Sequence, residues 1–381
     1  GWVKQKPDEQ GLYKYSFDYL SAWKDKKIFI VFEGVMTDAE VKINGRSAGE
    51  IHQGGFYQFS YDITDLVQAD MSNTLEVNVS KQSANASVEK AERGGDFWTF
   101  GGIYRPVYLK IVPATFIGRV AIDAKADGSF NLQVFSQNTK SGQQIEAQVQ
   151  DLAGRPVGQP FRIPVSDSAL LKNTFSSIKT WNPEQPNLYQ VKVSIKEGAK
   201  TLHTLTQRFG FRTVEMRPGD GFYVNGVKVI FKGVNRHSAW PETGRTLSRS
   251  VHWMDINMMK DMNMNAVRMS HYPPDQEFLD LCDSLGLFVI DELTGWQAAY
   301  DTVAGRKLVK ELVLRDVNHP SVIMWANGNE GGWNRALDGD YHWYDPQKRF
   351  VMHPWEKFNG TDSKHYPDFN YVTNSTLYGD E

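Results

Sequence analysis

Glu330 carries the most pointed chemistry in the chain. It lies in RDVNHPSVIMWANGNEGGWN, residues 315 to 334, where the apolar run Val322-Ile323-Met324-Trp325 passes into Asn-Gly-Asn-Glu and two glycines. Such a pattern is a buried strand that delivers a carboxylate into a loop where a substrate can approach closely. Burial and an anionic neighbour can raise the pKa of a carboxyl so placed, which suits it to donate a proton. The competing reading is an ion pair with a nearby arginine. A lone acid in this position asks for a second carboxylate; Asp291 and Glu292, at the end of the preceding strand, are runner-up partners, expected rather to hydrogen-bond neighbouring loops and tune charge. Further polar clusters, GVNRH, RMSHYP and DELTGW, precede it in sequence, each at the end of an apolar strand.

The elements that must hold these clusters begin after about Arg217. KVIFKG reads as a strand, and Ser250 can cap a helix in which Val251, Met254, Met258 and Met262 recur at spacings of three and four. That methionine stripe reads as ordinary core. NAVRMS is the next strand, followed by a helix with Phe278, Leu281, Cys282 and Leu285 on one face. LFVIDE, a helix carrying Leu308, Leu312 and Val313, and SVIMWANGNE complete the pattern. Apolar strands alternating with helices imply a parallel sheet. Polar residues at the C-terminal end of every strand fit the top face of a (β/α)8 barrel, whereas an open sheet would gather them at one switch point. Four strands are half of what a barrel needs. The chain is therefore expected to be a portion of a longer protein, with the tail from about residue 341 a long top-face loop leading toward a fifth strand.

Upstream, short strands and turns dominate. KIFIVFEGV, AEVKINGRSAGE, TLEVNVS and RPVYLKIV, with an Asn44-Gly45 hairpin signal, read as a first antiparallel sandwich over 1–112, incomplete at its N-terminus. A second alternating segment over 113–216, with an Asp127-Gly128 turn, has the size of an immunoglobulin-like sandwich. The expected class is multidomain β plus α/β: a jelly-roll-like sandwich, an immunoglobulin-like sandwich, then the first half of a TIM barrel over 217–381.

Composition narrows the partners. With 42 lysines and arginines against 45 aspartates and glutamates, the formal net charge of −3 gives no electrostatic footprint for nucleic acid. The sequence has no apolar run long enough to span a membrane. The single cysteine, Cys282, sits in apolar FLDLCDSLGLFVI and reads as core. Aromatic residues make up 13% of the chain, which serves sheet cores and sugar-stacking surfaces alike.

GVNRHSAWPETGR, NAVRMSHYPP, VIDE, RDVNHPSVIMWANGNE and, much earlier, GGDFWTFGGIYRPVYL occur in the order seen in glycoside hydrolase family 2, and the sequence resembles that family of β-galactosidases, β-glucuronidases and β-mannosidases across all three segments. The resemblance implies a retaining exo-β-glycosidase working with two glutamates, most readily a β-galactosidase, with a β-glucuronidase or a non-catalytic carbohydrate-binding protein as alternatives. It makes Glu330 the acid and later base, and places the nucleophile after the seventh strand, beyond residue 381. Glu381 follows LYGD, which is no buried strand, and is not expected to take that part. Carried over residue by residue, Asn329 binds the sugar 2-hydroxyl, Arg268 lies near the nucleophile, His271 and His237 line the sugar site, and Asp96 reaches from the first domain into the barrel. The region after DE reads LTGWQAAY and lacks the Glu and His pair that helps bind magnesium in related β-galactosidases, so no metal and no cofactor are expected. His319, His342, His353 and His365 have no zinc-like spacing. Trp333 and Trp343 are candidate stacking platforms. The implied partner is an oligo- or polysaccharide with a terminal β-glycoside, without nucleic acid or membrane, in a possible homo-oligomer. Similar proteins are often exported by glycan-degrading bacteria, so a periplasmic or secreted place is an implication of the resemblance alone.

Overall fold

A computed structural model describes residues 8–69, 71–358 and 360–371. Glu381 lies outside the described residues. The first β unit packs one sheet, in the order Gln10–Asp18, Ser72–Ser80, Asp38–Ile43, Arg46–Ser47, against a second, in the order Val107–Pro113, Lys26–Phe32, Phe59–Asp62. Alternation decides the faces. Ile28, Ile30 and Phe32 point inward to meet Val41, Ile43, Val77 and Val79. Asn44 and Gly45 both adopt positive φ, 52° and 76°, and close a two-residue hairpin between Ile43 and Arg46, as the dipeptide predicts.

The second β unit is a sandwich of a three-stranded and a four-stranded sheet. Phe130, Leu132 and Val134 from one sheet meet Ile145, Ala147, Val149, Val191, Val193 and Ile195 from the other. Each set sits at every second position, so the two inner faces form one core.

The third unit is the half barrel. Its five strands, β1 (Gly233–Arg236), β2 (Ala266–Met269), β3 (Phe288–Trp296), β4 (Val322–Asn329) and β5 (Phe350–Met352), pair in parallel in that order. The helices α1 (Arg249–Asp261), α2 (Gln276–Leu285), α3 (Thr302–Asp316) and α4 (Asp338–Tyr344) connect them. Every residue of β4 is buried, which explains its unbroken apolar character. Cys282 is buried in the same core.

Four details differ from the sequence reading. KVIFKG does not form the first barrel strand: Val227–Val229 belongs to an antiparallel hairpin, and β1 is the GVNR that follows. Helix α1 is capped by Ser248, whose side chain accepts from the Val251 amide at 3.4 Å, two residues before the expected Ser250. The methionine stripe is not core. His252, Ile256 and Met259 face inward, while Met254, Met258 and Met262 are 38%, 54% and 54% exposed. Two apolar stripes compete on this helix, and the hydrogen bond between His252 and Arg236 at 3.1 Å helps settle which one turns to the sheet. Finally, a fifth strand is already present at Phe350–Met352, so the tail is not one long loop after four strands.

Polar contacts lock the units together. Arg105 of the first sandwich binds Asp275 at 3.0 Å and the Pro273 carbonyl at 2.8 Å in the barrel. Asn318 of the barrel exchanges hydrogen bonds with the backbone of Ile122 and Val120 in the second sandwich, both at 3.0 Å. The barrel's top face is therefore held against the first sandwich, and its lower side against the second.

Candidate active site

The ends of β1 to β4 converge on one mouth. At the end of β4 the chain must turn sharply: Gly328, Glu330 and Gly331 have φ of 74°, 46° and 94°. A Cβ on Gly328 would overlap the Gly332 carbonyl, and one on Gly332 would overlap that of Gly295. The loops after β3 and β4 thus cross at a distance only glycine allows, and this crossing aims Glu330 into the mouth.

The Glu330 side chain is 12% exposed and accepts hydrogen bonds from Gln297 Nε2 and from the His365 ring, each at 2.9 Å. Burial pushes its carboxyl up, but the bonds from His365 and Gln297, with the nearby His365 and His271 rings, outweigh burial and hold the pKa below its ordinary value. This corrects the expected upward shift. An anionic neighbour would be needed for that, and none among the described residues contributes to the carboxyl's largest influences.

Beside it, one network ties three strands. Arg268, at the end of β2, donates Nε to Glu292 at 2.6 Å and Nη2 to Asn329 Oδ1 at 2.8 Å. Glu292 also meets the His271 ring at 3.0 Å and is fully buried. Glu292 is therefore spent on Arg268 and His271. Asp291 alternates to the other side of the strand, where burial and the adjacent Asp316 carboxylate raise its pKa well above the ordinary range. With its Oδ1 taken, Asn329 is left with a buried Nδ2 that has no hydrogen-bond partner among the described residues. A buried amide donor without a partner is uncommon, and it suits a ligand oxygen.

The histidines complete one wall. His271 packs 4.7 Å from Trp296 and 5.4 Å from His237. His237 bonds the Tyr272 hydroxyl at 3.2 Å, and burial, with the charges of His271 and Arg245, holds its pKa down at about 4. It is thus a neutral ring at ordinary pH, able to donate from one nitrogen and accept at the other. The loop after the first sandwich's helix, Ala86–Arg93, reaches this wall. The Asp96 charge acts on His237, and Phe97 lies 5.8 Å from His237 and 6.2 Å from Trp296. Arg245 secures the loop through the Trp98 carbonyl at 2.9 Å.

The structure thus brings Glu330, Asn329, Arg268, His271, His237 and Asp96 to one place. Gln297, His365, Trp296 and Phe97 join them; of these the sequence named only His365, and that as a zinc ligand to be set aside. Phe97 and Trp296 stand inside quoted motifs and could have been found. Gln297 stands in the quoted LTGWQAAY but nothing there marks it as a partner of Glu330, and His365 carries no such signal. Trp343 is 81% exposed, and Trp333 stacks on His353, just past β5, at 5.6 Å.

Among the described residues, Asp280, Asp283 and His319 have the spacing of a metal site. Their atoms are already engaged: His319 meets Asp283 at 2.6 Å and Arg208 meets Asp280 at 2.8 Å.

Comparison with known proteins agrees with this layout. Three family models match in series: "Glycosyl hydrolases family 2, sugar binding domain" over residues 4–113, "Glycosyl hydrolases family 2" over 115–212, and "Glycosyl hydrolases family 2, TIM barrel domain" over 214–351. A protein named beta-galactosidase from Thermoanaerobacterium thermosulfurigenes is 34% identical over 97% of this chain and 52% of its own length. A putative beta-glucuronidase from Formosa agariphila is 31% identical over 82% of this chain and 39% of its own length. The crystal structure of a beta-glycosidase from Bacteroides vulgatus superposes with a TM-score of 0.80 at 29% identity, over 92% of this chain and 46% of that one. The chain spans about half the length of the first of these curated relatives.

Proposed function

Since the chain belongs to glycosyl hydrolase family 2, we propose that the full-length protein is a retaining exo-β-glycosidase in which Glu330 is the acid and later the base. Glu330 would protonate the glycosidic oxygen as the bond to the anomeric carbon breaks. A second glutamate, supplied by sequence after residue 381 and roughly 5 to 5.5 Å from Glu330, would attack that carbon and form the glycosyl-enzyme. Glu330, now ionised, would then take a proton from water as the water releases the sugar. Among the described residues Glu292 is tied to Arg268 and His271 and Asp291 faces away, which supports a partner from elsewhere.

The observation that carries this reading is the Asn329–Glu330 pair at the mouth. Arg268 fixes the Asn329 carboxamide and leaves Nδ2 without a partner among the described residues, so it can donate to a sugar hydroxyl oxygen next to the proton donor. His237 and His271, with Asp96 from the first sandwich, would take further hydroxyls, while Trp296 and Phe97 provide apolar faces. β-Galactoside is the first substrate to test, given the beta-galactosidase relative, and β-glucuronide the second, given the putative beta-glucuronidase.

In the full-length protein, Glu330→Gln should slow hydrolysis of glycosides with poor leaving groups by two or more orders of magnitude and slow activated aryl glycosides far less. Equal losses on both substrates would remove Glu330 from the acid role. Paired assays with aryl β-galactoside and aryl β-glucuronide decide the sugar.

A further inference from the structure

Where the three units meet, away from the barrel mouth, lies a cleft of about 630 Å³ whose walls come from the first sandwich, from Gly118 and Arg119 of the second, and from one face of α3. Lys307, Lys310 and Leu314 stand at helical spacing on that face. Arg119 comes from the opposite wall. The pairing of Phe116–Ala124 with Ser129–Gln137 shifts register between Ile117 and Arg119, and a shift of this kind re-aims the side chain that follows it.

The charges in this cleft do not balance locally. Arg315 is held by Asp316 at 2.6 Å, and Glu311 shares a hydrogen bond with the His52 ring at 2.9 Å. Glu50 is the other acid in the lining. Arg119 has no carboxylate partner and no hydrogen-bond acceptor among the described residues; its guanidinium lies 3.4 Å from the centre of the Phe135 ring, and its Nη1 is shielded without a partner. Burial lowers its pKa to about 10, offset only in part by Tyr344. Lys307 and Lys310 have no ion pair among the described residues. A half-buried guanidinium is normally paired, because desolvating a cation without compensation is unfavourable. Three unpaired cations around one concave space supply what an oxyanion needs.

We infer that this cleft is an accessory site for an oxyanion, the sulfate or carboxylate of an acidic saccharide or the same group as a free ion, held by Arg119, Lys307 and Lys310. It is separate from the barrel mouth and does not depend on the Glu330 reading, except that the saccharide form of the ligand follows from the proposed glycosidase activity. Bound there, the anion would clip the second sandwich to helix α3.

The test is calorimetric titration of the protein with sodium sulfate, a sulfated oligosaccharide, an oligo-uronate and a neutral oligosaccharide of equal length. Wild type should bind at least one of the anionic ligands and show no binding of the neutral one at this cleft, and affinity should fall as salt rises. Arg119→Gln and, separately, the exposed pair Lys307→Ala with Lys310→Ala should each weaken anion binding about tenfold or more. The lysine pair guards against a folding defect in the arginine variant. Sulfate binding as tightly as the saccharides assigns the site to the free ion, and tighter saccharide binding assigns it to the glycan; either sustains the site. Absence of binding, or binding unchanged in both variants, overturns it. Because binding is read directly, that result says nothing against Glu330, whose failure would show in turnover alone.

Discussion

Glu92 offers a stringent test of how the first sandwich is joined to the barrel. It lies on helix Ala86–Arg93, fully buried, and accepts from the Gly55 amide at 2.8 Å and from the Tyr300 hydroxyl at 2.6 Å. Tyr300 in turn meets the Tyr57 hydroxyl at 3.1 Å, and Tyr57 accepts from the Thr294 amide at 3.2 Å, two residues along β3 from Glu292. Burial raises the Glu92 pKa from 4.5 to about 7, against the lowering effects of Tyr300, Gly55 and Arg93, with Asp38 adding to the rise. The sign follows from linkage. Below pH 4.5 both folded and unfolded states carry the protonated acid, and its contribution to stability is fully present. Between 4.5 and about 7 the unfolded state ionises first, so stability is lost as pH rises, by about 3 kcal/mol across the window. Glu92→Gln keeps the shape, accepts from Gly55 and donates to Tyr300, but does not titrate. In urea unfolding from pH 4.5 to 8, the stability difference between Glu92→Gln and wild type should shift by about 3 kcal/mol in favour of the variant, and then level off. Parallel curves across this range would refute the shifted acid and the network drawn around it.

Two further substitutions probe the frame of the site. Arg105→Ala removes a buried guanidinium, the partner of the partly buried Asp275, and the bond to the Pro273 carbonyl; it should cost about 3 kcal/mol, visible as a lower urea midpoint and as faster proteolysis between the first sandwich and the barrel. Gly328→Ala places a side chain at a φ of 74° and against the Gly332 carbonyl. It should destabilise by at least about 2 kcal/mol and, on the proposed reading, reduce the full-length protein's kcat by displacing Glu330, whereas Gly339→Ala, with open space around it, should do neither.

The half barrel was legible where one physical pressure acts alone. Val322–Asn329 is buried on both sides, so its run of apolar residues could mean little else, and the polar residues closing it had to lie at the mouth. Helix α1 was misread because apolar periodicity gives a helix two acceptable faces, and only the Arg236–His252 contact and the packing of Ile256 and Met259 choose between them. Strand β5 escaped notice for a different reason. Three residues, of which Val351 alone is deeply buried, are too short to show any period. At the site, Glu330 and Asn329 were readable because they end a strand. Gln297 and His365 reach Glu330 across loops 33 and 35 residues away in sequence, and no spacing rule encodes a contact that chain folding creates.

The low pKa of Glu330 follows from the same separation. Two donors and the neighbouring rings favour the carboxylate, which by itself describes a base. A second carboxylate about 5 Å away would repel it by about 3 kcal/mol at an effective dielectric constant near 20, more than a typical hydrogen bond contributes. On the proposed reading, that repulsion is what makes Glu330 an acid when substrate arrives. Once the second carboxylate is esterified by the sugar, its charge disappears and the donors His365 and Gln297 act unopposed, returning Glu330 to the ionised form that can activate water. The hydrogen bonds that lower its pKa are therefore compatible with the acid role. They set the state to which the group returns in the second half of the reaction.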